Sequence, residues 1–292
     1  MVHRQLTLPV PGWPIGIARP VRSRLQVIDL FCGAGGFSEG FRQAGHEIIL
    51  AVDKDEDALA SHETNHPQAE HWLEDVRNVA ELPRADVVIG SPPCVQLSRG
   101  NPRRNLDVTL CLEFLRLALT SKPSFFVMEN VPDAGVILPI KGVIVDSADF
   151  GVPQRRIRWF GGLYPPPWRA RSSLRRSIHD AIGRTMNLRL GNGFEQRIDS
   201  SKPAPTVVAH WAKRGSAVPF DIDELKALMG FPIGYQFYGS KTSQIRQIGN
   251  AVPPPVAKAF GLSMTSTNLA RSTGNIYPGD RERTSQIAGS DS

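Results

Sequence analysis

One cysteine lies in a setting that favours a nucleophile. Cys94 follows Pro92 and Pro93 in GSPPCVQLSRG, residues 90–100, directly after the apolar run DVVIG. Proline fixes the backbone φ angle and so stiffens the loop that carries the thiol. Basic residues follow closely, and a positive neighbour lowers the pKa of a thiol and increases the share of reactive thiolate. The alternative is a buried cysteine that only packs, which is common for free cysteines.

A carboxylate and two guanidinium groups extend this pattern. The run FFVMENV places Glu129 and Asn130 at the end of an apolar segment, and PQRRIRW carries Arg156 and Arg158. If the second segment is extended, the two arginines share one face. A thiol, an acid and two arginines at neighbouring strand ends predict one constellation suited to covalent catalysis. Taken alone, Glu129 is equally well explained as a solvated or salt-bridged acid.

A glycine-rich stretch, DLFCGAGGFS at residues 29–38, ends the first apolar run. Gly33, Gly35 and Gly36 would let the backbone turn sharply and approach a ligand, because they carry no Cβ. Asp53 closes the next apolar run, where an acid can accept hydrogen bonds from ribose hydroxyls. Asp75, in WLEDV, is placed to accept from an adenine amino group. We therefore expect an adenosine ligand, with NAD and S-adenosylmethionine both open. The alternative is a tight turn with two surface carboxylates.

The elements that must position these groups alternate between strand and helix. Six apolar runs predict buried strands, and amphipathic segments between several of them predict helices. This alternation is typical of an α/β fold with a mostly parallel sheet and helices on both faces. In such sheets ligands bind at the carboxyl ends of the strands, where all the groups above are expected. The predicted strands are LQVIDLF, EIILAVD, ADVVIGS, SFFVMEN, GVIVDSA and RIRWFGGL.

The strand–helix pattern stops after residue 164. Residues 165–239 are rich in proline, glycine and arginine and predict a small irregular lobe, within which DIDELKALMGFP indicates a helix that ends at Gly230. The main domain is expected to comprise residues 23–164 and 240–267. Residues 1–22 are expected to be an irregular segment, and residues 268–292 a mobile tail with little to bury.

Composition and charge narrow the class of protein. The 292-residue chain is 41% hydrophobic, and no run approaches the ~18 apolar residues of a membrane span, so a soluble intracellular protein is expected. Three cysteines without a CxxC pair argue against a disulfide framework and against a zinc site, and no metal is expected. The net charge of +6, with seven arginines against three acids in residues 165–199, is compatible with a nucleic-acid partner. Solvated surface arginines are the alternative.

Taken in order, these motifs resemble those of the C5-specific DNA cytosine methyltransferase family. The resemblance runs with gaps from about Val27 to Phe260. It includes the cofactor loop, the nucleophile loop, the proton-donor motif, the arginine motif and the C-terminal cofactor motif. Five motifs in the family's order make coincidence very improbable. In this chain they read DLFCGAGGFS, GSPPC, ENV, QRRIR and RQIGNAVPPPVAKAF.

The resemblance implies a Rossmann-like methyltransferase fold with a small target-recognition lobe, S-adenosylmethionine as cofactor, and transfer of its methyl group to carbon 5 of a flipped-out cytosine. Cys94 would attack carbon 6, Glu129 would bind N3 and the exocyclic amine, and Arg158 would hold O2. Arg156 would help with O2 or a nearby phosphate. The implied cofactor contacts are Phe31, Gly33, Gly35, Gly36, Asp53, Lys54, Asp75, Val76, Pro93, Leu110, Asn250 and Val252. The expected DNA contacts are Ser98, Arg99, Arg103, Arg104, Arg189 and Arg197.

The resemblance also implies partners and a location. Double-stranded DNA is the expected substrate, a cognate restriction endonuclease is an expected partner in some members, and the cytoplasm of a bacterium or a phage host is the expected compartment. A monomer is expected. The C-terminal cofactor motif is expected to return beside the first strand.

The chain departs from the family at several places. Gln96 lies one position later than the family's glutamine after the nucleophile, and Asp53 stands where the family commonly has Glu. A connecting helix between residues 130 and 154 is expected to be missing. The recognition segment, residues 184–201, has only about 18 residues. So short a segment can place few side chains in a DNA groove, which predicts a short or degenerate target site.

Three other functions fit parts of the sequence. A tRNA cytosine methyltransferase would use the same chemistry on another substrate. A non-catalytic DNA- or cofactor-binding protein is disfavoured, because the thiol, the acid and both arginines are present. A nicotinamide oxidoreductase is disfavoured, because the G-x-G-x-x-G spacing of dinucleotide sites is absent.

Overall fold

The fold is centred on one seven-stranded sheet. The computed structural model describes residues 23–93, 107–167, 175–190, 196–212 and 219–272. The strand order is β3-β2-β1-β4-β5-β7-β6, in which the first five strands are parallel and β7 runs antiparallel to both of its neighbours. The strands are β1 (Gln26–Leu30), β2 (Glu47–Asp53), β3 (Glu70–Leu73), β4 (Val87–Gly90), β5 (Phe125–Asn130), β6 (Gly142–Asp146) and β7 (Ile157–Leu163).

Helices cover both faces of this sheet, which confirms the predicted fold class. Alternate residues of β1 belong to different apolar clusters, with Ile28 and Leu30 in one and Val27 in the other. Because successive side chains of a strand point to opposite faces, the two clusters lie on opposite sides of the sheet. The helices in chain order are α1 (Gly36–Gln43), α2 (Glu56–Asn65), α3 (Thr109–Ser121), α4 (Ala134–Ile137), α5 (Ile178–Ile182), α6 (Ile222–Met229), α7 (Lys241–Asn250) and α8 (Pro254–Ser272).

The C-terminal helix α8 packs against α1. A Cβ on Gly40 would lie 2.3 Å from the Ala257 Cβ, so the two helices meet at a separation that only glycine allows. Val256 and Phe260 of α8 are fully buried and share an apolar cluster with Val27. The C-terminal segment was expected beside the first strand. Helix α8 packs with α1 against one face of β1. Helix α8 continues to Ser272, past residue 267 where the main domain was expected to end.

The small lobe contains more regular structure than the sequence predicted. A two-stranded hairpin forms from β8 (Asn187–Leu190) and β9 (Gln196–Asp199). Ile198 of the hairpin shares a third apolar cluster with Leu225 of α6 and Ile248 of α7. Helix α7 was expected in the main domain, yet its apolar face therefore also builds the core of the lobe.

The start and the end of α6 follow the sequence closely. The Asp221 side chain accepts a hydrogen bond from the Glu224 amide, and the Glu224 side chain accepts one from the Asp221 amide, which forms a capping box. Gly230 ends the helix with a φ of 77°, a conformation that favours glycine.

The edge of the sheet at β6 has little cover. Between β5 and β6 the described chain forms only the single turn α4, in agreement with the expectation that a connecting helix is missing. As a result Ile144 of β6 is 60% exposed and Val136 of α4 is 87% exposed. In the described ranges of the chain no helix is long and apolar enough to cross a membrane. Those ranges also contain no group of three or more metal-binding side chains.

Candidate active site

Glu129 is held between two strands that flank its own. Parallel pairing sets Gly90 of β4 opposite Met128 of β5, so Ser91 and Glu129 are the next neighbours at the carboxyl edge. The Ser91 hydroxyl donates a 2.5 Å hydrogen bond to Glu129 Oε2. From the other side Arg158 Nε lies 3.2 Å from Glu129 Oε1. The carboxyl group is only 4% exposed, so both neighbours act on it with little competition from water.

Asn130 holds the start of the loop that leads to Cys94. Its side-chain Nδ2 donates to the Pro92 carbonyl at 3.1 Å and lies 3.5 Å from Cys111 Sγ. Its Oδ1 accepts from the Val131 amide at 2.8 Å. The amide of Asn130 therefore fixes the two-proline segment against β5, a role that sequence reasoning did not assign to it.

Seven predicted site residues fall where side chains are not described. Cys94 lies outside the described residues, as do the expected DNA contacts Ser98, Arg99, Arg103 and Arg104. Arg189 and Arg197 lie on the hairpin of the small lobe, where the backbone register places them directly opposite each other. Pro93, the last described residue before Cys94, is exposed.

The two arginines of QRRIR have different surroundings. Arg158 contacts Glu129, as described above, whereas Arg156 is 2% exposed and donates from Nη1 to the Val207 carbonyl at 3.1 Å. Gln154 is fully buried, and its Oε1 accepts from the Val207 amide at 2.7 Å. The sequence placed both arginines in one constellation with Glu129. In the structure Arg158 contacts that acid, while Arg156 and Gln154 tie the arginine motif to the small lobe.

The glycine turn lies at the same edge of the sheet and adopts unusual backbone angles. Phe31 and Gly33 have φ values of 56° and 52°, in the left-handed region that is uncommon for a residue such as phenylalanine. The Gly33 amide donates a 2.8 Å hydrogen bond to Asp53 Oδ2, and the Asp55 amide donates to Oδ1. Burial raises the pKa of Asp53 despite these bonds. Two backbone bonds leave lone pairs of this carboxylate free for hydroxyl donors.

The three glycines of the turn serve different purposes. A Cβ on Gly33 would meet nothing within 4 Å, as expected for a residue that faces a ligand. A Cβ on Gly35 would lie 2.7 Å from the Tyr235 hydroxyl, and one on Gly36 would lie 2.3 Å from the Val252 carbonyl. The sequence assigned all three to the approach of a ligand. Gly35 and Gly36 are required by close contact with the rest of the protein.

Asp75 is engaged by two basic side chains. Arg77 donates to both of its carboxylate oxygens, at 2.9 and 2.7 Å, and Lys54 Nζ lies 3.3 Å from Oδ2. The Arg77 guanidinium, with help from Lys54, holds the pKa of Asp75 well below its usual range. Lys54 was predicted here, whereas Arg77 was not. Among the other predicted cofactor residues, Val76 and Val252 are buried, Leu110 is partly buried and Asn250 is exposed.

A chain of buried polar side chains underlies the glycine turn. Asp29 accepts a 2.7 Å hydrogen bond from the Ser38 hydroxyl, and His62 Nε2 lies 3.0 Å from the same hydroxyl. His62 Nδ1 is in turn 2.8 Å from His71 Nε2. Burial raises the pKa of Asp29 to about 7, and burial lowers the pKa of His62 well below its usual value. A chain of hydrogen-bonding side chains thus connects the partly buried His71 to the fully buried carboxyl group of Asp29.

Several of these contacts had no sequence signal. Ser91 and Tyr235 are each one polar residue in a loop, and their importance follows only from what they approach. Arg77 could have been found from its position two residues after Asp75, since short-range ion pairs of this kind form within turns. His62 of α2 could have been noted, because a polar residue on a buried helix face needs a partner.

The chain matches the model of a known protein family. A sequence profile of the family described as C-5 cytosine-specific DNA methylase matches residues 25–134 and 171–266, which is more than half of the chain. Type II methyltransferase M1.HphI of Haemophilus parahaemolyticus is 28% identical over 335 aligned residues, covering 84% of this chain and 87% of the relative. Type II methyltransferase M.HgiDI of Herpetosiphon aurantiacus is 29% identical, covering 82% and 94%.

Solved structures share the fold. A DNA modification methyltransferase encoded within a prophage of E. coli superposes with a TM-score of 0.63 at 22% identity, covering 85% of this chain and 99% of the other. The Dnmt2 methyltransferase of S. pombe superposes with a TM-score of 0.59 at 17% identity, covering 87% and 100%. At these identities the likeness establishes the architecture of the sheet and its helices.

Proposed function

The chain belongs to the C-5 cytosine-specific DNA methylase family and is a DNA cytosine methyltransferase, and from this premise we propose how it works. The methyl group comes from S-adenosylmethionine and is transferred to carbon 5 of a cytosine in double-stranded DNA. The cytosine is extruded from the helix and bonded covalently through carbon 6 to the sulfur of Cys94. Glu129 and Arg158 bind the polar edge of the same ring.

One observation carries this proposal. Glu129 is fixed between Ser91, which precedes Cys94 by three positions, and Arg158 of the arginine motif. An acid and a guanidinium side by side at strand ends match the edge of cytosine, which offers a ring nitrogen, an amine and a carbonyl oxygen. The loop that carries Cys94 starts at this same point. A thiol, an acid and a guanidinium group can therefore contact one pyrimidine ring together.

The residues at the glycine turn fit the proposed methyl donor. Gly33 leaves open space above the turn, and the half-buried Asp53 has acceptor capacity left for ribose hydroxyls. Asp75, Val76 and Leu110 would surround the adenine. We assign the remaining contacts to Phe31, Lys54, Pro93, Asn250 and Val252, with Gly35 and Gly36 shaping the turn. When bound, this group supplies an electrophilic methyl carbon.

The chain's own residues explain how carbon 5 becomes reactive. The Cys94 thiolate adds to carbon 6, which breaks the carbon 5–carbon 6 double bond and leaves an enamine whose carbon 5 is nucleophilic. Glu129 carries a proton in this complex, donates it in a hydrogen bond to N3 and accepts a hydrogen bond from the exocyclic amine. The acid thereby stabilises the negative charge that the addition places on the ring, and Arg158 holds O2. After methylation a base removes the carbon 5 proton, the double bond re-forms and the thiolate leaves. Splitting the reaction in this way replaces one difficult step by two easier ones.

The substrate must expose the base and bind through its phosphates. Inside a duplex the stacked neighbours block the approach of the thiol and of the methyl donor to the cytosine ring. The cytosine is therefore flipped out, at a cost of about a few kcal/mol. The expected backbone contacts are basic, and such contacts make affinity depend strongly on salt. They are Ser98, Arg99, Arg103, Arg104, Arg189 and Arg197. Arg156 is buried and donates to the Val207 carbonyl, so its proposed role is to stabilise the position of the small lobe.

We further propose that the protein is a cytoplasmic monomer with a cognate restriction endonuclease as partner.

A transfer assay combined with covalent trapping tests this function. Radiolabelled methyl groups from S-adenosylmethionine are expected to appear in duplex DNA, and the Cys94→Ser variant is expected to transfer none. DNA that contains 5-fluorocytosine should remain bound to the wild-type protein after denaturation. Fluorine takes the place of the hydrogen on carbon 5, so the proton removal that releases the enzyme cannot occur. The Cys111→Ser variant is the matched control, since Cys111 is buried in the core of the main domain and should leave trapping intact.

The possible outcomes separate the alternatives. Labelling of tRNA without labelling of duplex DNA would reassign the substrate and keep the chemistry. Binding of DNA without transfer or trapping, in a protein that unfolds cooperatively, would point to a non-catalytic member. Trapping that persists in Cys94→Ser would overturn the assignment of the nucleophile.

A further inference from the structure

We propose that Ser91 is a positioning residue for Glu129, one that sets the orientation of the carboxyl group toward the cytosine edge. The inference rests on the proposed role of Glu129 and extends it to a residue with no part in the motif chemistry described above. It states that the hydroxyl of Ser91 acts on the reaction through Glu129 and makes no contact of its own with the substrate.

The geometry favours this role. Ser91 and Glu129 are neighbours across two parallel strands, and their side chains meet through a 2.5 Å hydrogen bond. Arg158 approaches the opposite carboxyl oxygen at 3.2 Å, in an ion pair that lacks hydrogen-bond geometry. Oε1 therefore has no hydrogen bond among the described residues, while Oε2 is fixed by Ser91. The serine is thus the neighbour that determines the rotation of the carboxyl plane.

That rotation matters because recognition of cytosine is planar. A carboxyl group must present its oxygens in the plane of the ring to meet N3 and the exocyclic amine at the same time. Without a partner on Oε2 the group can turn about its terminal bond, since torsions of this kind are broad. Arg158 would then be the remaining strong partner, and it would attract the carboxylate toward the position of O2.

The backbone adds a second reason. Ser91, Pro92 and Pro93 lie directly before Cys94, and the Pro92 carbonyl is held by Asn130. Two consecutive prolines restrict the torsions between the serine and the cysteine. The hydrogen bond to Glu129 therefore ties the acid to the same stiff segment that delivers the thiol.

The test is a double-mutant cycle between Ser91→Ala and Glu129→Gln, followed by single-turnover methyl transfer. We expect Ser91→Ala to lower the rate of the chemical step roughly 10- to 100-fold, while the dissociation constant for S-adenosylmethionine changes less than about 2-fold. In the Glu129→Gln background the same serine change should have almost no further effect on the residual rate, because a residue that acts through another loses its influence when that other is altered.

Controls separate positioning from folding. Ser91→Thr keeps a hydroxyl at the same place and should restore most of the rate that Ser91→Ala loses. Ser121→Ala removes a hydroxyl that bonds only to the Ala118 carbonyl at the end of α3, and it should leave the rate unchanged. Thermal unfolding of each variant shows whether a loss of rate merely follows a loss of fold.

Each outcome has one meaning. Full activity of Ser91→Ala would overturn the inference while leaving the proposed function intact, provided that Glu129→Gln is impaired. Equal losses from Ser91→Ala in both backgrounds would also overturn it, because the serine would then act independently of the acid. Full activity of Glu129→Gln would instead refute the proposed role of Glu129, and the inference with it.

Discussion

The hydroxyl of Tyr235 donates a 2.6 Å hydrogen bond to the carbonyl of Ala34, a residue 201 positions earlier in the chain. Tyr235 belongs to the apolar cluster of the small lobe, and its ring packs against Phe231 and Phe237. Ala34 lies in the glycine turn proposed to bind the methyl donor. The lobe is therefore attached directly to the turn, and His66 Nε2, at 3.2 Å from the same hydroxyl, reinforces the attachment.

Removal of this hydroxyl is expected to weaken both stability and cofactor binding. Burial raises the pKa of Tyr235 well above its usual value, so the side chain is a neutral donor at every working pH. Tyr235→Phe should lower the free energy of unfolding by about 1–2 kcal/mol, because the Ala34 carbonyl loses its partner. The dissociation constant for S-adenosylmethionine, measured by calorimetry, should rise several-fold. Tyr238→Phe, which removes an exposed hydroxyl, is the control and should change neither quantity.

Replacement of Asn130 is expected to loosen the nucleophile loop. Asn130→Ala deletes the bond to the Pro92 carbonyl and leaves that buried acceptor unsatisfied, at a cost of about 1–3 kcal/mol in the free energy of unfolding. Because the loop delivers the thiol, kcat should fall at least about 10-fold while cofactor affinity is retained. Asn78→Ala removes an exposed amide that bonds to Glu74 and serves as the comparison. An unchanged kcat in Asn130→Ala would show that the prolines alone hold the loop.

The buried carboxyl of Asp29 should make stability depend on pH with a definite sign. Its pKa is raised to about 7, chiefly by burial, from an ordinary value of 3.8, so the folded state binds the proton more tightly than the unfolded state. Its stabilising contribution is full below pH 3.8 and is lost as the pH rises through 7. Relative to wild type, Asp29→Asn should therefore gain about 2–3 kcal/mol in the free energy of unfolding between pH 5 and pH 8.

Denaturant unfolding of both proteins at several pH values measures this difference. The buried histidines act in the opposite direction, since burial lowers the pKa of His66 to about 4 and stability is lost as the pH falls from 6.5 toward that value. His66 makes no hydrogen bond to Asp29 or Ser38 among the described residues, so its effect is present in both proteins and cancels to a first approximation. A difference between wild type and variant that does not change with pH would mean that Asp29 titrates as an ordinary carboxyl.

The short recognition segment should restrict what the enzyme reads. The hairpin β8–β9 has four residues in each strand and brings Arg189 opposite Arg197. So small an element can direct few side chains toward base edges, although it can place positive charge beside phosphates. We expect a short or degenerate target. Bisulfite sequencing of DNA from cells that express the protein measures it, and a fixed target of five or more base pairs would contradict the expectation.

The sheet could be predicted because its signals are local. The run EIILAVD coincides with β2, and the predicted strands for β1, β4 and β5 differ from the observed bounds by no more than two residues. Each is a mostly apolar run, and the buried strands of a parallel sheet require that pattern. The meeting of the motifs at one edge could be predicted for the same reason, because the carboxyl ends of neighbouring parallel strands bring residues together that are distant in sequence.

The details of the site depend on contacts that local sequence does not encode. Gly35 and Gly36 were assigned to a ligand because a glycine loop after a strand is typical of cofactor binding, yet Tyr235 and the Val252 carbonyl occupy the space beside them. Arg156 was grouped with Arg158 because alternate residues of a strand share a face. That argument did not consider the small lobe, where the Val207 carbonyl accepts a hydrogen bond from Arg156. In each case the deciding partner lies more than 50 positions away.

The packing of α8 on α1 has a consequence for synthesis. The glycine turn and α1 are made early, but the Val252 carbonyl and Ala257 that lie against Gly36 and Gly40 emerge from the ribosome some 200 residues later. Until then the outer face of the first strand stays uncovered, and the half-made chain must be shielded from association with its neighbours. A cell would therefore obtain no premature methylation from nascent or truncated chains, because Asn250 and Val252 of the proposed cofactor site and the cover that α8 provides are all translated late.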